Sequence, residues 1–402
     1  MLGFILKLNK EFGSIDLNIN QIIIFFSVFI MSFLSFGSLI STFNQMLLFL
    51  IISVLLFFIN IKNIKNIKIG FSFFTIIFFV LITLIVNILS MLPDEHRTWV
   101  RLFSIYIILF FSILSFFYFK IEDSFIYILK VITFFGVIHC IYIFFKIFFI
   151  SADVYSDLYF FGHIRHYSAF LSICFVSSLI LSFHSHGNYT YISAFILFIL
   201  LNLGGRSSFL SIFLIIFFIS VYLFYKKEYF LAKISKIVLI PFLLQIIFIN
   251  LGLSTAFLDS VGRTTSGNIT SGRLLIWKES WNYIKNNYFG YGGDAFVQLD
   301  IGMKALGAVF VQAHNAFFQI SLEWGIGIFI LIFSYLLYIS YKVLLNLKDE
   351  KIVFMYLMVF NLLIISIFDG VFYYIFEIYF LLLFLALVNA RIYFLEKYKD
   401  FI

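Results

Sequence analysis

The chain has little of what marks a soluble or secreted protein: its 402 residues include only two prolines, two cysteines and 12% charged residues. Soluble domains carry charge on about a quarter of their residues. The low charge therefore excludes a cytosolic enzyme, a disordered chain and a nucleic-acid-binding module. Both cysteines lie within apolar runs, which argues against a disulfide framework. With 63% hydrophobic residues, the composition instead predicts an all-α, polytopic membrane protein.

Long apolar runs recur along the sequence. A helix that crosses a bilayer needs about 20 mostly apolar residues. The runs are unbroken and do not alternate, which excludes the strands of an outer-membrane barrel. We therefore predict a membrane helix bundle with twelve transmembrane helices. The predicted spans are 21–42, 44–60, 70–92, 99–119, 125–150, 167–183, 189–204, 207–225, 237–258, 316–340, 352–368 and 371–391.

The basic residues predict the orientation. With both termini cytoplasmic, seventeen lysines and arginines fall in inner segments and nine in outer segments, as the positive-inside rule requires. The first span is expected to remain as an anchor. The chain then divides into spans one to nine within 1–258, a main outer loop with an interfacial amphipathic helix over 259–315, and spans ten to twelve with a cytoplasmic tail over 316–402.

Arginine and lysine are distributed differently in this topology. Six of the seven arginines fall on the outer side, whereas sixteen of the twenty lysines fall on the inner side. Arginine binds phosphate and carboxylate through paired hydrogen bonds and keeps its charge, whereas lysine acts as a point charge. A lysine-biased composition combined with chance is the simple alternative, but we favour an anion site on the outer face. Arg97 and Arg101 are interpreted as side chains that extend to lipid headgroups.

Two arginine-bearing segments directly precede membrane spans. FGHIRHYSAF places His163, Arg165 and His166 before the sixth span, and LNLGGRSSFL places Arg206 in a two-glycine turn that begins the eighth. Glycine lets another backbone or a ligand approach closely, and a helix N-terminus adds partial positive charge. Both segments are therefore candidates to contact an anion.

The main outer loop contributes a third arginine. Its segment SGRLLIWKESWNYIKN has an amphipathic pattern that predicts a helix on the membrane surface over 271–286, with Arg273 at its beginning. The glycine-rich FGYGGDAF that follows predicts a turn, and it lacks the lysine and spacing of a phosphate-binding loop.

A polar stripe opens the tenth span in QAHNAFFQISLEWGIGIF. His314 lies at its mouth, and Asn315, Gln319 and Glu323 recur every four residues. They share one helical face, which must point into the bundle or towards a watery cavity. The two glycines of EWGIG are expected to permit close packing against a neighbour. Asp369 ends the eleventh span in IFDGVFYY, again on the outer side.

Arg165, Arg206, Arg273 and His314 come from four separate segments at one membrane face, and we predict that they share a site. Guanidinium groups neutralise a diphosphate without a divalent ion. The outer acidic residues show no metal-ligand spacing, so neither a metal nor another cofactor is expected. A histidine whose pKa is near neutral can act as a general base on a hydroxyl. These residues predict group transfer from a lipid diphosphate to an alcohol.

These segments carry a resemblance to a known family. GGRSS before one span, SGRLLIW in the outer loop and HNAFFQISLEWGIG at the next span resemble, in this order, the O-antigen ligase / O-antigen polymerase superfamily. The likeness extends over roughly 155–375. It implies an inverting, metal-independent glycosyltransferase of GT-C-like type in the bacterial inner membrane, with its active site on the periplasmic face.

By position, the resemblance assigns roles to residues of this chain. Arg206 and Arg273 match the essential outer arginines of the family, His314 matches its essential histidine, and Asp369 matches an acidic residue near a late span. The expected catalytic residues are His314, Arg273 and Arg206, and the expected substrate-binding residues are Arg165, His166, Asp369 and Glu323.

The resemblance also implies the substrates. The donor is expected to be a glycan on undecaprenyl diphosphate, held in the lipid bilayer. The acceptor is lipid A-core in the ligases and another lipid-linked repeat unit in the polymerases, while a third branch glycosylates periplasmic proteins. We favour the ligase because the helix that follows His314 resembles it more; the polymerase is the alternative. A lipid-linked glycan flippase is the second alternative, disfavoured because no internal repeat is found and the charges lie at one face.

Overall fold

A computed structural model describes residues 19–33, 42–64, 71–119, 124–149, 164–184, 188–226, 231–251 and 272–397. Regular structure within these ranges is helical, with no strand among them. The helices are α1 (Ile19–Phe33), α2 (Thr42–Ile64), α3 (Phe71–Ile88), α4 (Glu95–Phe119), α5 (Phe125–Phe149), α6 (Ile164–His184), α7 (Tyr189–Leu203), α8 (Arg206–Tyr225), α9 (Leu231–Asn250), α10 (Arg273–Asn286), α11 (Ala295–Gln298), α12 (Ile301–Leu306), α13 (Ala316–Leu345), α14 (Glu350–Phe368) and α15 (Ile375–Lys397).

Each predicted span coincides with one helix of 15 residues or more. Among the described residues, eight helices are long and apolar enough to cross a membrane, namely α4, α5, α6, α8, α9, α13, α14 and α15. Shorter apolar helices are α1, α7, the segment Met46–Ile59 of α2 and the segment Thr75–Ile88 of α3. The chain is an all-α, polytopic membrane protein, which confirms the predicted fold class.

The start of the last span differs from its predicted position. Helix α15 begins at Ile375 and not near 371, because the preceding residues form a turn in which the Tyr373 and Tyr374 amides both donate to the Gly370 carbonyl, at 2.7 and 3.1 Å. The apolar residues of this turn have the composition of a helix, so hydropathy alone places the boundary too early. The predicted segments 34–41 and 252–258 lie outside the described residues.

Helix α6 lies at the centre of the bundle although it is rich in serine. Its residues 166–182 are all buried, and it packs against α5, α7, α8 and α14. The serine hydroxyls donate to carbonyls of their own helix, as Ser172 does to Ala169 at 2.7 Å and Ser177 to Ile173 at 2.9 Å. Their polarity is thereby satisfied in an apolar surrounding. Packing on every side holds the first turn of α6 in place.

Helix α13 is broken at Gly325, where the backbone has φ 87° and ψ 163°. The glycine-rich turn after α10 fills the break: the Tyr291 and Gly292 amides donate to the Leu322 and Glu323 carbonyls, both at 2.8 Å. A side chain at Gly325 would collide with the backbone of this turn. Close packing at this glycine is therefore confirmed. The prediction for Gly327 is wrong, because a Cβ there meets no atom of the described residues within 4 Å.

Candidate active site

The predicted site residues converge where α6, α8 and α13 begin and α14 ends. Arg165 Nη1 lies 3.4 Å from His314 Nε2, and His314 Nδ1 lies 3.3 Å from Asp369 Oδ1. The charge of Arg273 interacts with the charges of Arg165, Asp369 and Arg206. We call these five side chains the anion cluster. Residues from five separate parts of the sequence thus meet at one end of the bundle.

The amphipathic helix α10 brings the outer loop to this place. Trp277 Nε1 donates to the Ala313 carbonyl at 2.9 Å, and the Trp277 ring stacks on Phe318 with centroids 5.8 Å apart. The predicted amphipathic helix therefore forms, and one face of it packs on the start of α13, while its place on the membrane surface stays a prediction. Arg273, at the first position of α10, is placed beside the residue that follows Ala313 in sequence, His314.

The two-glycine turn before α8 places Arg206. Gly204 has φ 70°, which only glycine adopts without strain, and it ends α7. A Cβ on Gly205 would overlap the Ser168 side chain of α6, so the absence of one lets α8 begin against the central helix. Ser207 in the first turn of α8 donates to Asp369 Oδ2 at 3.4 Å.

His314 and Asp369 form a buried pair. Because a carboxylate only accepts hydrogen bonds, Nδ1 of His314 carries the proton it shares with Asp369, and Nε2 keeps its lone pair. The second contact of Asp369 Oδ1 is the Gly370 amide at 3.0 Å. His314 has φ 53°, a left-handed conformation that is uncommon outside glycine. The backbone of His314 is therefore strained, and the contacts with Asp369 and Arg165 define the position of its imidazole.

The electrostatics of this pair favour a neutral imidazole beside a charged carboxylate. Burial lowers the pKa of His314, and Arg165 and Arg273 lower it further, while Asp369 partly offsets them. For Asp369, burial opposes the charge, but the hydrogen bond from His314 and the nearby positive charges outweigh it and lower the pKa. Near neutral pH, Nε2 is then available to accept a proton.

Arg273 is held against like charge. Burial lowers its pKa first, then the charge of Arg165, with a further contribution from Arg206 that Asp369 opposes. Its Nε atom is buried and has no hydrogen-bond partner within the described part of the chain. Among the described residues, three guanidinium groups surround one carboxylate, and the Nε donor of Arg273 is unused. An anion with several acceptor oxygens would pair with these groups and with this donor.

His166 lies behind the cluster. Its imidazole is buried, its Nδ1 is 3.7 Å from Glu377 Oε1, and its ring centroid is 3.6 Å from that of Tyr374. It interacts electrostatically with Asp369, so the structure brings it close to the predicted site. His163 lies outside the described residues.

Glu323 does not lie in the anion cluster. It is fully buried just before the break at Gly325. Its carboxylate contacts Arg101 Nε at 3.3 Å and Gln319 Nε2 at 2.8 Å. The polar face predicted for α13 does point into the bundle, since Gln319 is buried as well. A direct contact of Glu323 with substrate stays a prediction. Both carboxylate oxygens of Glu323 already accept hydrogen bonds within the protein.

The interpretation of Arg101 as a headgroup contact is wrong. Its side chain is 7% exposed and donates to the Phe372 and Tyr373 carbonyls, both at 2.6 Å, as well as to Glu323. Arg97 is 48% exposed and pairs with Asp294. The sequence contained one signal for a buried Arg101: charged residues inside apolar spans face the bundle interior and find a partner there, although the sequence does not say which partner.

The geometry defines the class of protein: a polytopic membrane protein with arginines and a buried histidine–aspartate pair at one end of its helix bundle. Residues 191–333 match the family described as O-antigen ligase, which supports placing the chain in the O-antigen ligase/polymerase superfamily. The matched segment is less than half of the chain. It includes Arg206, Arg273 and His314, while Arg165 and Asp369 lie outside it. No curated protein matches the chain.

The family match indicates a function of the O-antigen ligase/polymerase kind, that of a glycosyltransferase-like membrane enzyme that uses lipid-linked glycans. Two arginines and the histidine of the anion cluster therefore lie within the part of the chain that carries the family likeness.

Proposed function

We propose that this protein transfers a glycan from undecaprenyl diphosphate to a hydroxyl of lipid A-core, as an inverting O-antigen ligase of GT-C-like type. The observation that carries the proposal is the convergence of Arg165, Arg206 and Arg273 around the His314–Asp369 pair. The oxygens of a bound diphosphate would accept hydrogen bonds from these guanidinium groups.

The arginines stabilise the leaving group. The donor is a diphosphate diester, and breaking its bond to the anomeric carbon adds one negative charge to the diphosphate. Arg206 and Arg273 lie where they can receive that charge, and Arg165 joins them when it leaves His314 for the diphosphate. Stabilisation by charges that are already in place is commonly the largest catalytic contribution. No divalent ion is required in this scheme, because the guanidinium groups supply the positive charge.

His314 acts as the general base. The acceptor oxygen attacks the anomeric carbon from the face opposite the diphosphate, the new C–O bond forms as the old one breaks, and the hydroxyl proton moves to Nε2. In the structure Arg165 Nη1 faces this atom at 3.4 Å. We expect the donor diphosphate to draw that guanidinium to itself, which leaves Nε2 for the acceptor. Asp369 stabilises the imidazolium that results.

The orientation is part of the proposal. Lysines lie near the ends of α8, α13 and α15 and before α14, at the end of the bundle away from the anion cluster. The positive-inside rule makes that end cytoplasmic. The cluster then faces the periplasm from the inner membrane, the termini are cytoplasmic, and residues 259–315 form the main periplasmic loop.

In vitro transfer tests the proposal. The purified full-length chain is incubated with an undecaprenyl-diphosphate glycan and a chelator, with lipid A-core or a lipid-linked repeat unit as acceptor. We expect transfer to lipid A-core and a loss of about 10²- to 10³-fold for Arg273→Lys, because lysine cannot replace a paired donor. Lys278→Gln, an exposed cation of the same helix, is the matched control.

The acceptor decides between the branches. Transfer to the lipid-linked repeat unit alone would replace the ligase by the polymerase. Absence of transfer to both acceptors, with movement of the lipid-linked glycan across vesicle membranes, would replace the enzyme by a flippase. Full activity of the Arg273→Lys variant would contradict the role of the anion cluster.

A further inference from the structure

A second set of charges lies deeper than the anion cluster. Arg101 of α4 and Glu323 of α13 form an ion pair in which Glu323 is fully buried, and the Asp294 amide also donates to Glu323 at 3.2 Å. Burying two charges costs free energy even when they pair. A pair of this kind is a poor source of stability, so its contacts indicate what else it does.

One end of the pair holds the turn that carries Asp369. The Arg101 guanidinium donates to the Phe372 and Tyr373 carbonyls, both at 2.6 Å. Those residues follow Asp369 in the turn between α14 and α15, so the planar guanidinium fixes the turn at two adjacent points. A lysine could not donate to both carbonyls and the carboxylate with the same geometry.

The other end holds the segment that carries His314. Glu323 accepts from Gln319 Nε2 at 2.8 Å, and Gln319 Oε1 accepts from the Ala313 amide at 3.0 Å. Ala313 directly precedes His314, whose left-handed backbone needs such support. The chain of contacts from Arg101 through Glu323 and Gln319 therefore reaches the residue before His314 and the turn that follows Asp369.

We propose that Arg101, Glu323 and Gln319 are positioning residues that set the placement of His314 against Asp369. The inference rests on the proposed function, and it gives these residues a role that acts through His314 and Asp369, in place of the substrate contact predicted for Glu323. Their loss leaves the arginines that hold the diphosphate in place, so it lowers kcat and leaves KM for the donor nearly unchanged.

A double-mutant cycle tests this coupling. Asp369→Asn, Arg101→Met and the double variant are compared in the transfer reaction. Arg101→Met is expected to lower kcat by about 100-fold, the effect of a small misplacement of catalytic groups. Because Arg101 acts through the placement of His314 against Asp369, which Asp369→Asn already weakens, the double variant should lose less than the product of the two single losses. Losses that multiply would overturn the proposal.

Gln319→Met provides a milder test, because it removes both amide contacts while nearly preserving side-chain volume. We expect it to lower kcat about 10-fold with KM unchanged, which is a positioning effect smaller than that of Arg101. It carries the test if Arg101→Met fails to fold. Ser112→Ala, which removes a buried hydrogen bond from α4 to the Leu382 carbonyl, is the control for a purely structural loss and should leave kcat unchanged.

The pH dependence gives a readout that a structural loss would not move. Asp369 raises the pKa of His314, whereas burial, Arg165 of α6 and Arg273 of α10 lower it. Arg206 of α8 and His166 of α6 act on Arg273 and Asp369. If Arg101→Met displaces Asp369, the acid limb of kcat/KM moves to lower pH, and it stays in place for Ser112→Ala. An unmoved limb would overturn the proposal, whereas no transfer by the wild-type chain would instead defeat the proposed function.

Discussion

Arg101 and Arg273 are both shielded arginines, but their surroundings differ. Arg101 has a carboxylate and two carbonyls as acceptors, each within 3.4 Å. Arg273 interacts with two other arginines, and its Nε has no partner among the described residues. The first arginine is saturated by the protein, whereas the second keeps binding capacity for something else. We therefore expect the Arg101 pair to stabilise the fold and the Nε of Arg273 to contact the ligand.

The largest expected effect is on catalysis at the unsatisfied end. His314→Ala removes the proposed base and should lower kcat by about 10²- to 10⁴-fold. Thermal unfolding should change less than transfer does, because Asp369 keeps its contacts with Ser207 and the Gly370 amide when the imidazole is lost. Transfer assays and unfolding of the purified chain in detergent measure the two effects. Normal kcat of this variant would exclude His314 as the general base and would leave the proposed role of the three arginines unaffected.

In stability, a change at Arg101 should have a larger effect than a change at Arg273. Arg101→Met leaves Glu323 buried without its cation, which costs about 3–5 kcal/mol of unfolding free energy. Arg273→Gln removes a charge that is repelled by its neighbours, so its melting temperature should equal or exceed that of the wild type. Thermal unfolding of both variants in the same detergent compares them directly. Equal losses would mean that the two arginines do not differ in the way described.

The pH profile sharpens the same contrast within the cluster. Burial and the two arginines lower the pKa of His314 below its ordinary value of 6.5. The base form is needed, so kcat/KM should rise with pH through a limb that lies below 6.5. Asp369→Asn removes the group that raises this pKa, and the limb should move further to acid. A limb at or above 6.5 in the wild type would contradict the charge arrangement.

Short motifs predicted the anion cluster because its residues are exceptions to their surroundings. Arginine after two glycines, arginine at the start of an amphipathic helix and histidine before a polar stripe each stand out in an apolar chain. Helix ends on one side of the membrane then bring such residues together. Topology and local pattern were sufficient to predict that Arg206, Arg273 and His314 lie close together.

The pairing of Arg101 with Glu323 could not be predicted in this way, because 222 residues separate the partners. Local pattern assigns each of them a separate and plausible role, one at the headgroups and one at the substrate. Only the packing of α4 and α13 around the glycine-rich turn makes them partners. The same packing gives FGYGGDAF its importance, since that turn fills the break in α13.

The smallest expected effect comes from two glycines that look alike in EWGIG. Gly325→Ala must adopt φ 87° and would place Cβ 2.6 Å from the Tyr288 carbonyl oxygen, at a cost of at least about 1–3 kcal/mol. Gly327→Ala meets no atom and should gain about 0.5–1 kcal/mol, because alanine suits a helix better than glycine. Unfolding of both variants in detergent measures the difference. Transfer should also fall for Gly325→Ala alone, because the turn that this variant displaces adjoins Glu323, one of the proposed positioning residues. Equal stability of the two variants would mean that the break in α13 is not fixed by this turn.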